Sequence, residues 1–370
     1  MNSLADLRLA GRLSKDAYLL CFSAFFADLG YQGVAALFPL YIVLELREKV
    51  FWYGLITGIA FGAGSFFSFI GGLAGDRFDK KYISIAGNAF IPLMAFSGLT
   101  HQLWLSALLF ILGWWARYFR TPARRALLVN VTAPGDRGMA FGVLHALDIA
   151  GGMLSALLAL LLLSLHIRIG IIMLWAAIPL AVSTLVLVLV ERTTLYPETT
   201  PMQERRAAGT ATGMSDRALL VSLLIATTLY GFSFYNLGFP ILTGTKDSAT
   251  TSGYELGVLA FVIYLGISAV SGYMLAARRS SALRSLWALG YLPSAIGSGL
   301  IGLSVLLHMN ELAFYLFVAV LGLGMGAVET FEPTLVSSLV GSTALSRGMG
   351  YLSVSRSIGQ FLSNLIMGVL

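Results

Sequence analysis

LSALLALLLL, residues 154–163, is an apolar run without alternation, and its reading decides the fold. A membrane-spanning barrel strand alternates apolar and polar residues with a period of two, because one face meets lipid and the other the lumen. This run has no polar face, so it is read as a helix that satisfies its own backbone in hydrocarbon. The same texture extends outward in both directions. Of the 370 residues, 57% are hydrophobic and 11% are charged, with a mean hydropathy of +0.82. Soluble domains carry about 25% charged residues. Runs matching the roughly 20 residues that cross about 30 Å of hydrocarbon follow one another with short polar breaks. The fold class is an all-α polytopic membrane protein.

Eleven spans are expected, at about 17–44, 51–75, 82–100, 103–131, 138–165, 170–190, 218–243, 253–277, 285–307, 312–340 and 347–370. The longest polar stretch, 191–217, carries Pro197, Pro201, Glu204, Arg205, Arg206 and Asp216 and reads as a surface linker. The expected organisation is an N-terminal six-helix bundle over 1–191, a cytoplasmic linker over 192–217 and a C-terminal bundle over 218–370 with five helices. Basic residues gather in alternate connections: Arg8, Arg12, Lys15, Arg77, Lys80, Lys81, Arg124, Arg125, Arg137, Arg205, Arg206, Arg278 and Arg347 fall on one side. Arg47, Lys49, Arg168 and Lys246 fall on the other. Because cytoplasmic loops hold the Lys and Arg excess, the N-terminus and linker are expected inside, at the plasma membrane. The net charge of +6 therefore reports topology, and no nucleic-acid partner is expected. One cysteine, Cys21, in an apolar run leaves no disulfide framework.

The halves repeat. Gly30 and Phe38-Pro39 recur as Gly231 and Phe239-Pro240, and Pro92 and Gly98-Leu99 recur as Pro293 and Gly299-Leu300, all at an offset of 201. Thr121-Pro122 answers Glu332-Pro333, and Arg137-Gly138-Met139 answers Arg347-Gly348-Met349, at offsets of 211 and 210. Matches in one order mark a duplicated bundle, as in many secondary transporters. Duplication of six spans implies twelve, so a twelfth span is expected beyond those visible.

Spans two and three are joined by GGLAGDRFDKK, residues 71–81. Through Gly72, Asp76, Arg77, Lys80 and Lys81 it resembles the signature loop of the major facilitator superfamily, with Asp79 where that family usually has glycine. WARYFRTPARRALL, residues 115–128, is similar to an Arg and Pro pattern of drug-exporter-like branches, and the glycine-rich span five resembles the antiporter signature without its proline. The resemblance implies a major facilitator fold of two pseudo-symmetric helical bundles, with the first, fourth, seventh and tenth spans lining a central cavity. It also implies that Gly72 permits close helix approach and that Asp76 clasps the cytoplasmic ends at the start of span eleven, with Arg124 and Arg347 as candidate partners.

Ionisable residues at membrane depth are costly, and each is a candidate for function. At about 1.5 Å per residue, Asp28, Asp148 and Arg356 lie roughly 14–17 Å into their spans. Arg117 and Arg120 on span four match the depth of Glu329 and Glu332 on span ten, so pairing of these arginines with these glutamates across the pathway is expected, against the plainer alternative of a permanent pair holding span ends in register. Asp28, Asp148, Glu329 and Glu332 are the proton-coupling candidates, Asp28 foremost, with a merely hydrogen-bonded Asp28 equally open. Arg117, Arg120, Arg356, Tyr31, Tyr118 and Tyr235 are the substrate or gate candidates, with Arg356 able to pair with Asp28 or Asp148 instead. His145 and Asp148 share a face of span five and, with Asp28, could form a small metal site.

The resulting expectation is a monomeric, proton-coupled secondary carrier of a small organic solute, working by alternating access with export favoured. The alternatives are a proton-coupled uptake carrier for a sugar or organic anion, a divalent-metal exporter, or an intramembrane enzyme. Asp76 and Asp79 match the Asp-x-x-Asp spacing of membrane prenyl transferases, but they sit among basic residues and no second acidic motif follows. No enzymatic motif and no cofactor are expected.

Overall fold

A computed structural model describes residues 13–192, 216–233, 251–276, 282–307, 309–340 and 344–369. Among these every regular element is helical. Tyr235 and most of the 192–217 linker lie outside the described residues.

Span one is Lys15–Leu40, continued by a π-helical turn at Tyr41–Glu45. Ser14 caps it, its hydroxyl accepting the Ala17 amide at 3.1 Å. Span two is Val50–Gly62 and Gly64–Arg77, broken at Ala63. Span three starts as Lys80–Phe90 and tightens to a 3-10 helix over Ile91–Leu99, where Pro92 removes an amide donor from the α ladder. Span four is Leu103–Asn130 and span five Arg137–Ser164; span six is Ile169–Trp175 with Ala177–Val188. Span seven is described over Asp216–Ser233 and span eight over Thr251–Ala276. Span nine combines Ala282–Ser285, a π-helical stretch Leu286–Tyr291 and Leu292–Leu306. Span ten is Glu311–Leu339 and span eleven Leu345–Val369.

Seven described helices are long and apolar enough to cross a membrane by length and composition. Span four falls short because its arginines lower its hydropathy, yet it runs unbroken for 28 residues. Arg124 and Arg125, expected in a cytoplasmic connection, lie inside this helix, with side chains only 4% and 14% exposed. The helix continues past them because Ala126–Val129 gives it a further apolar turn, fully buried. Large apolar side chains such as Phe66, Trp104, Leu185 and Leu229 point outward, as a lipid-facing surface allows.

Packing repeats between the halves. Span one packs on span five and span seven on span eleven; span two packs on span four and span eight on span ten. The contacts that cross between halves also form a matched pair, span two on span eleven and span five on span eight. Exchanging the halves turns the first of these into the second, the signature of a pseudo-two-fold axis. Spans four and ten, repeat equivalents, keep Pro122 and Pro333 inside the helix.

Candidate functional site

A cavity of about 270 Å³ lies between the halves, near the small end of the roughly 300–1,000 Å³ usual for small-molecule sites. Spans one, two, four and five supply Asp28, Gln32, Phe61, Trp114, Arg117, Tyr118, Arg125, His145 and Asp148. Spans seven, eight, ten and eleven supply Tyr230, Tyr264, Met325, Glu329 and Arg356. The cavity thus draws on the four expected spans and on their neighbours two, five, eight and eleven.

The C-terminal wall is a closed set of charges. Glu329 accepts from Arg125 Nη2 at 2.8 Å and pairs with Arg356. Arg356 also pairs with Glu332 and lies over the Tyr230 ring, 5.4 Å from its centre. Glu332, wholly buried, accepts further hydrogen bonds from Thr227 Oγ1 at 2.7 Å and Tyr291 Oη at 2.6 Å. Spans four, seven, nine, ten and eleven are thereby joined through two carboxylates.

The N-terminal wall is different. Asp28 Oδ1 accepts from Gln32 Nε2 at 3.2 Å, while Oδ2 is buried without a hydrogen-bond partner among the described residues. Arg117 stacks on aromatic faces, its guanidinium carbon 4.6 Å from the Tyr31 ring centre, 5.0 Å from Trp114 and 5.9 Å from Tyr118. Asp148 meets Arg124 at 3.7 Å, and its Oδ1 has no partner among the described residues. Across the cavity and directly behind it stand four guanidiniums, Arg117, Arg124, Arg125 and Arg356, and four carboxylates, Asp28, Asp148, Glu329 and Glu332.

Several expectations need correction. Neither Arg117 nor Arg120 pairs with Glu329 or Glu332; the arginine that crosses from span four is Arg125. Arg117 lies eight residues earlier, about 12 Å along the helix, and is held by its aromatic ring set. Arg120 points the other way, away from the cavity, where it is wholly buried and donates to Asn88 Oδ1 on span three. Asn88 Nδ2 in turn donates to Ser183 and Thr184 on span six, at 3.1 and 2.8 Å. Arg356 pairs with neither Asp28 nor Asp148, because Glu329 and Glu332 are on its own side of the cavity. Tyr31 packs beneath Arg117, and Glu332 sits behind the wall, so neither lines the cavity. No three His, Cys, Asp or Glu side chains among the described residues gather to hold a metal. His145 is instead turned across the halves to Ser268 Oγ on span eight, at 2.7 Å, which takes it out of a metal site with Asp28 and Asp148.

At the end where span two meets span eleven, Asp76 caps span eleven. Its Oδ1 accepts the Ser346 amide at 2.8 Å, and Oδ2 accepts the Arg347 amide at 3.0 Å and Arg347 Nε at 2.9 Å. A carboxylate at a helix N-terminus also meets the positive end of the helix dipole. Arg124 is engaged with Asp148 instead. Gly72 makes the approach possible: a Cβ there would lie 2.9 Å from the Ser346 carbonyl oxygen and 3.3 Å from Arg347 Cα. Arg77 is exposed over Phe78, and Lys81 Nζ donates to the Val188 carbonyl at 2.9 Å. Lys80 begins span three and is half-buried. Asp79 explains the missing glycine, since at φ −62° it is an ordinary N-cap, accepting the Lys81 amide at 2.8 Å and pairing with Arg192. Burial pushes its carboxyl up, but the Arg192 and Lys81 hydrogen bonds outweigh that and hold it below the usual range.

Arg125, Gln32, Tyr264 and Ser268 were not legible as site residues. For Arg125 a signal existed in the apolar turn that follows it; for the others no charge or motif sets them apart from ordinary span residues.

Comparison with known proteins agrees with this architecture. A family model described as Major Facilitator Superfamily matches residues 20–364. Multidrug resistance protein MdtH of Photorhabdus laumondii subsp. laumondii is 32% identical over 146 residues, 38% of this chain and 35% of that protein. MdtH of Proteus mirabilis is 34% identical over 145 residues, 36% and 35% of the two chains. The chain thus spans about a third of the length of the curated relatives it matches. The crystal structure of the human organic anion transporter MFSD10 (TETRAN) superimposes with a TM-score of 0.70, at 13% identity, over 96% of this chain and 94% of that one.

Proposed function

The chain belongs to the Major Facilitator Superfamily, and from that premise we propose that it is a proton-coupled secondary active transporter of a small organic solute, with export favoured over uptake. It is a multi-pass membrane protein of a transporter family, and the reading is of a carrier, not an enzyme. The observation that carries the proposal is the charged cavity between the halves, with Asp76 of span two holding the start of span eleven at one end of the bundles. Two bundles, 1–191 and 218–370, rock about this cavity in alternating access, with the N-terminus and the 192–217 linker on the cytoplasmic side of the plasma membrane and the monomer as the working unit.

Asp28 is the proton-carrying group in this reading. It is 3% exposed, lines the cavity and has one oxygen without a hydrogen-bond partner among the described residues, so exposure to alternate sides lets it load and release a proton. Asp148 is engaged by Arg124, and Glu329 and Glu332 are each engaged by arginine, which supports a structural part for these three. Export is favoured by the similarity to the MdtH proteins, described as multidrug resistance proteins, over about a third of their length.

The test is solute flux in proteoliposomes. The reading expects flux that saturates with solute and responds to an imposed pH gradient, and expects Asp28→Asn to carry solute without that response. Flux in Asp28→Asn with the pH response intact would remove Asp28 from the coupling step. Absence of saturable flux for every solute would remove the carrier reading itself.

A further inference from the structure

The hydrogen bonds around the cavity leave a specific remainder. Among the described residues lining it, Trp114 Nε1–H, Arg117 Nε–H, Arg356 Nε–H, Asp28 Oδ2 and Asp148 Oδ1 are buried without a hydrogen-bond partner; Arg356 and Asp148 are already ion-paired, whereas Arg117 has no carboxylate within ion-pair distance. Asp28 is 3% and Trp114 7% exposed. Buried polar groups are rarely left unpaired, and a group without a partner in the protein points to a missing one. An indole N–H can only donate, and a guanidinium matches a carboxylate or sulfonate in shape and charge. The partner these two share is therefore an acceptor with negative charge.

The charge inventory points the same way. Among the described residues Arg124, Arg125 and Arg356 each meet a carboxylate, and the cavity-lining arginine without one in contact is Arg117. Arg120 is not available, being turned into the N-terminal bundle onto Asn88. Beyond Arg117 the lining is aromatic and apolar, with Phe61, Tyr230 and Met325. We propose that the cavity binds an aromatic organic anion, its acidic group on Arg117 and the Trp114 indole N–H and its ring against Phe61 and Tyr230. This rests on the carrier reading of the cavity and adds the class of its solute. A proton on Asp28 turns Oδ2 into a further donor for the same acidic group, so proton and anion bind together. The charged and titratable groups nearest Asp28 are Arg117 and Arg124 from span four, Asp148 from span five and Tyr31 on its own helix.

Three naphthyl probes test this on the purified full chain by calorimetric titration: a sulfonate, a methylammonium and a neutral methanol. The sulfonate stays anionic at every working pH, so any pH effect belongs to the protein. The expected result is binding of the sulfonate in preference to the other two, tighter in acid than in base. Its affinity should fall roughly tenfold or more in Arg117→Gln, with part recovered in Arg117→Lys. Trp114→Phe, which keeps an aromatic ring and removes the donor, should also weaken it, and provides the reading if Arg117→Gln fails to fold. Preference for the methylammonium, unchanged sulfonate affinity in both variants, or no binding of any probe overturns the proposal. In proteoliposomes, proton-driven flux of the methylammonium without the sulfonate would sink the anion site and leave the carrier reading standing. Sulfonate binding that depends on Arg117, with no flux of any solute, would do the reverse.

Discussion

Glu332 and Asp28 are both carboxylates held deep within spans, and their surroundings give them opposite characters. Glu332 accepts from Thr227, Tyr291 and Arg356 and has no exposure; Asp28 accepts from the neutral Gln32 and keeps one oxygen without a hydrogen-bond partner among the described residues. Removing one member of a buried, hydrogen-bonded charge pair costs about 2–5 kcal/mol. Glu332→Gln should lose stability on that scale, read as a lowered midpoint of thermal or chemical unfolding. Asp28→Asn replaces a poorly partnered carboxylate and should stay within about 1 kcal/mol of the parent. Equal losses in the two variants would refute the division between a structural and a functional wall. Sequence shows that such charges exist, because a charge in an apolar run stands out. It does not show which face of the helix each one takes. Arg117 and Arg120 are three residues apart, yet one lines the cavity and the other is bonded into span three, a choice made by Asn88 on another helix.

At the scale of elements, the contact of span two with span eleven depends on the absence of a side chain at Gly72. A Cβ there would press on backbone, the Ser346 carbonyl and Arg347 Cα, and backbone cannot swing aside as a flexible side chain can. Gly72→Val should therefore keep these helix ends apart, exposing a thiol placed at Ser346 to a water-soluble maleimide; labelling no faster than in the Gly72 parent would contradict this. The neighbouring turn adds a pH-dependent contribution. Asp79 titrates below its ordinary value in the folded state, so its pair with Arg192 stabilises above the unfolded carboxylate value, about 3.9, and that stabilisation is lost as pH falls through the depressed value. Asp79→Asn keeps a good N-cap and removes the charge. It should lower the neutral-pH melting temperature slightly, by a contribution of at most about 1 kcal/mol, with the difference shrinking in acid. The elements themselves were legible from apolar runs and the motif loop. The π-helical turns at Tyr41–Glu45 and Leu286–Tyr291 were not read from the sequence, although Pro39 stands just before the first and Gly290 and Pro293 stand in and just after the second.

For the whole molecule, the internal repeat carried the architecture. The matched contacts of span two with eleven and span five with eight follow from duplicating one bundle and packing the copies about a pseudo-two-fold axis. The cavity is lined by both halves, but its two walls are chemically unlike: Asp28 and Arg117 stand on one, and the Glu329, Glu332 and Arg356 cluster on the other. Motion of one bundle against the other must open the contact of span two with span eleven. Phe69 and Tyr351 stack across that contact with ring centres 6.0 Å apart, and both are exposed on the outer surface. Phe69→Cys with Tyr351→Cys, in a Cys21→Ala background, therefore offers a tether between the bundles through a short reducible cross-linker. Cross-linked protein in proteoliposomes should lose solute flux and regain it on reduction, whereas flux that continues undiminished with the tether closed would contradict the alternating movement of the two bundles.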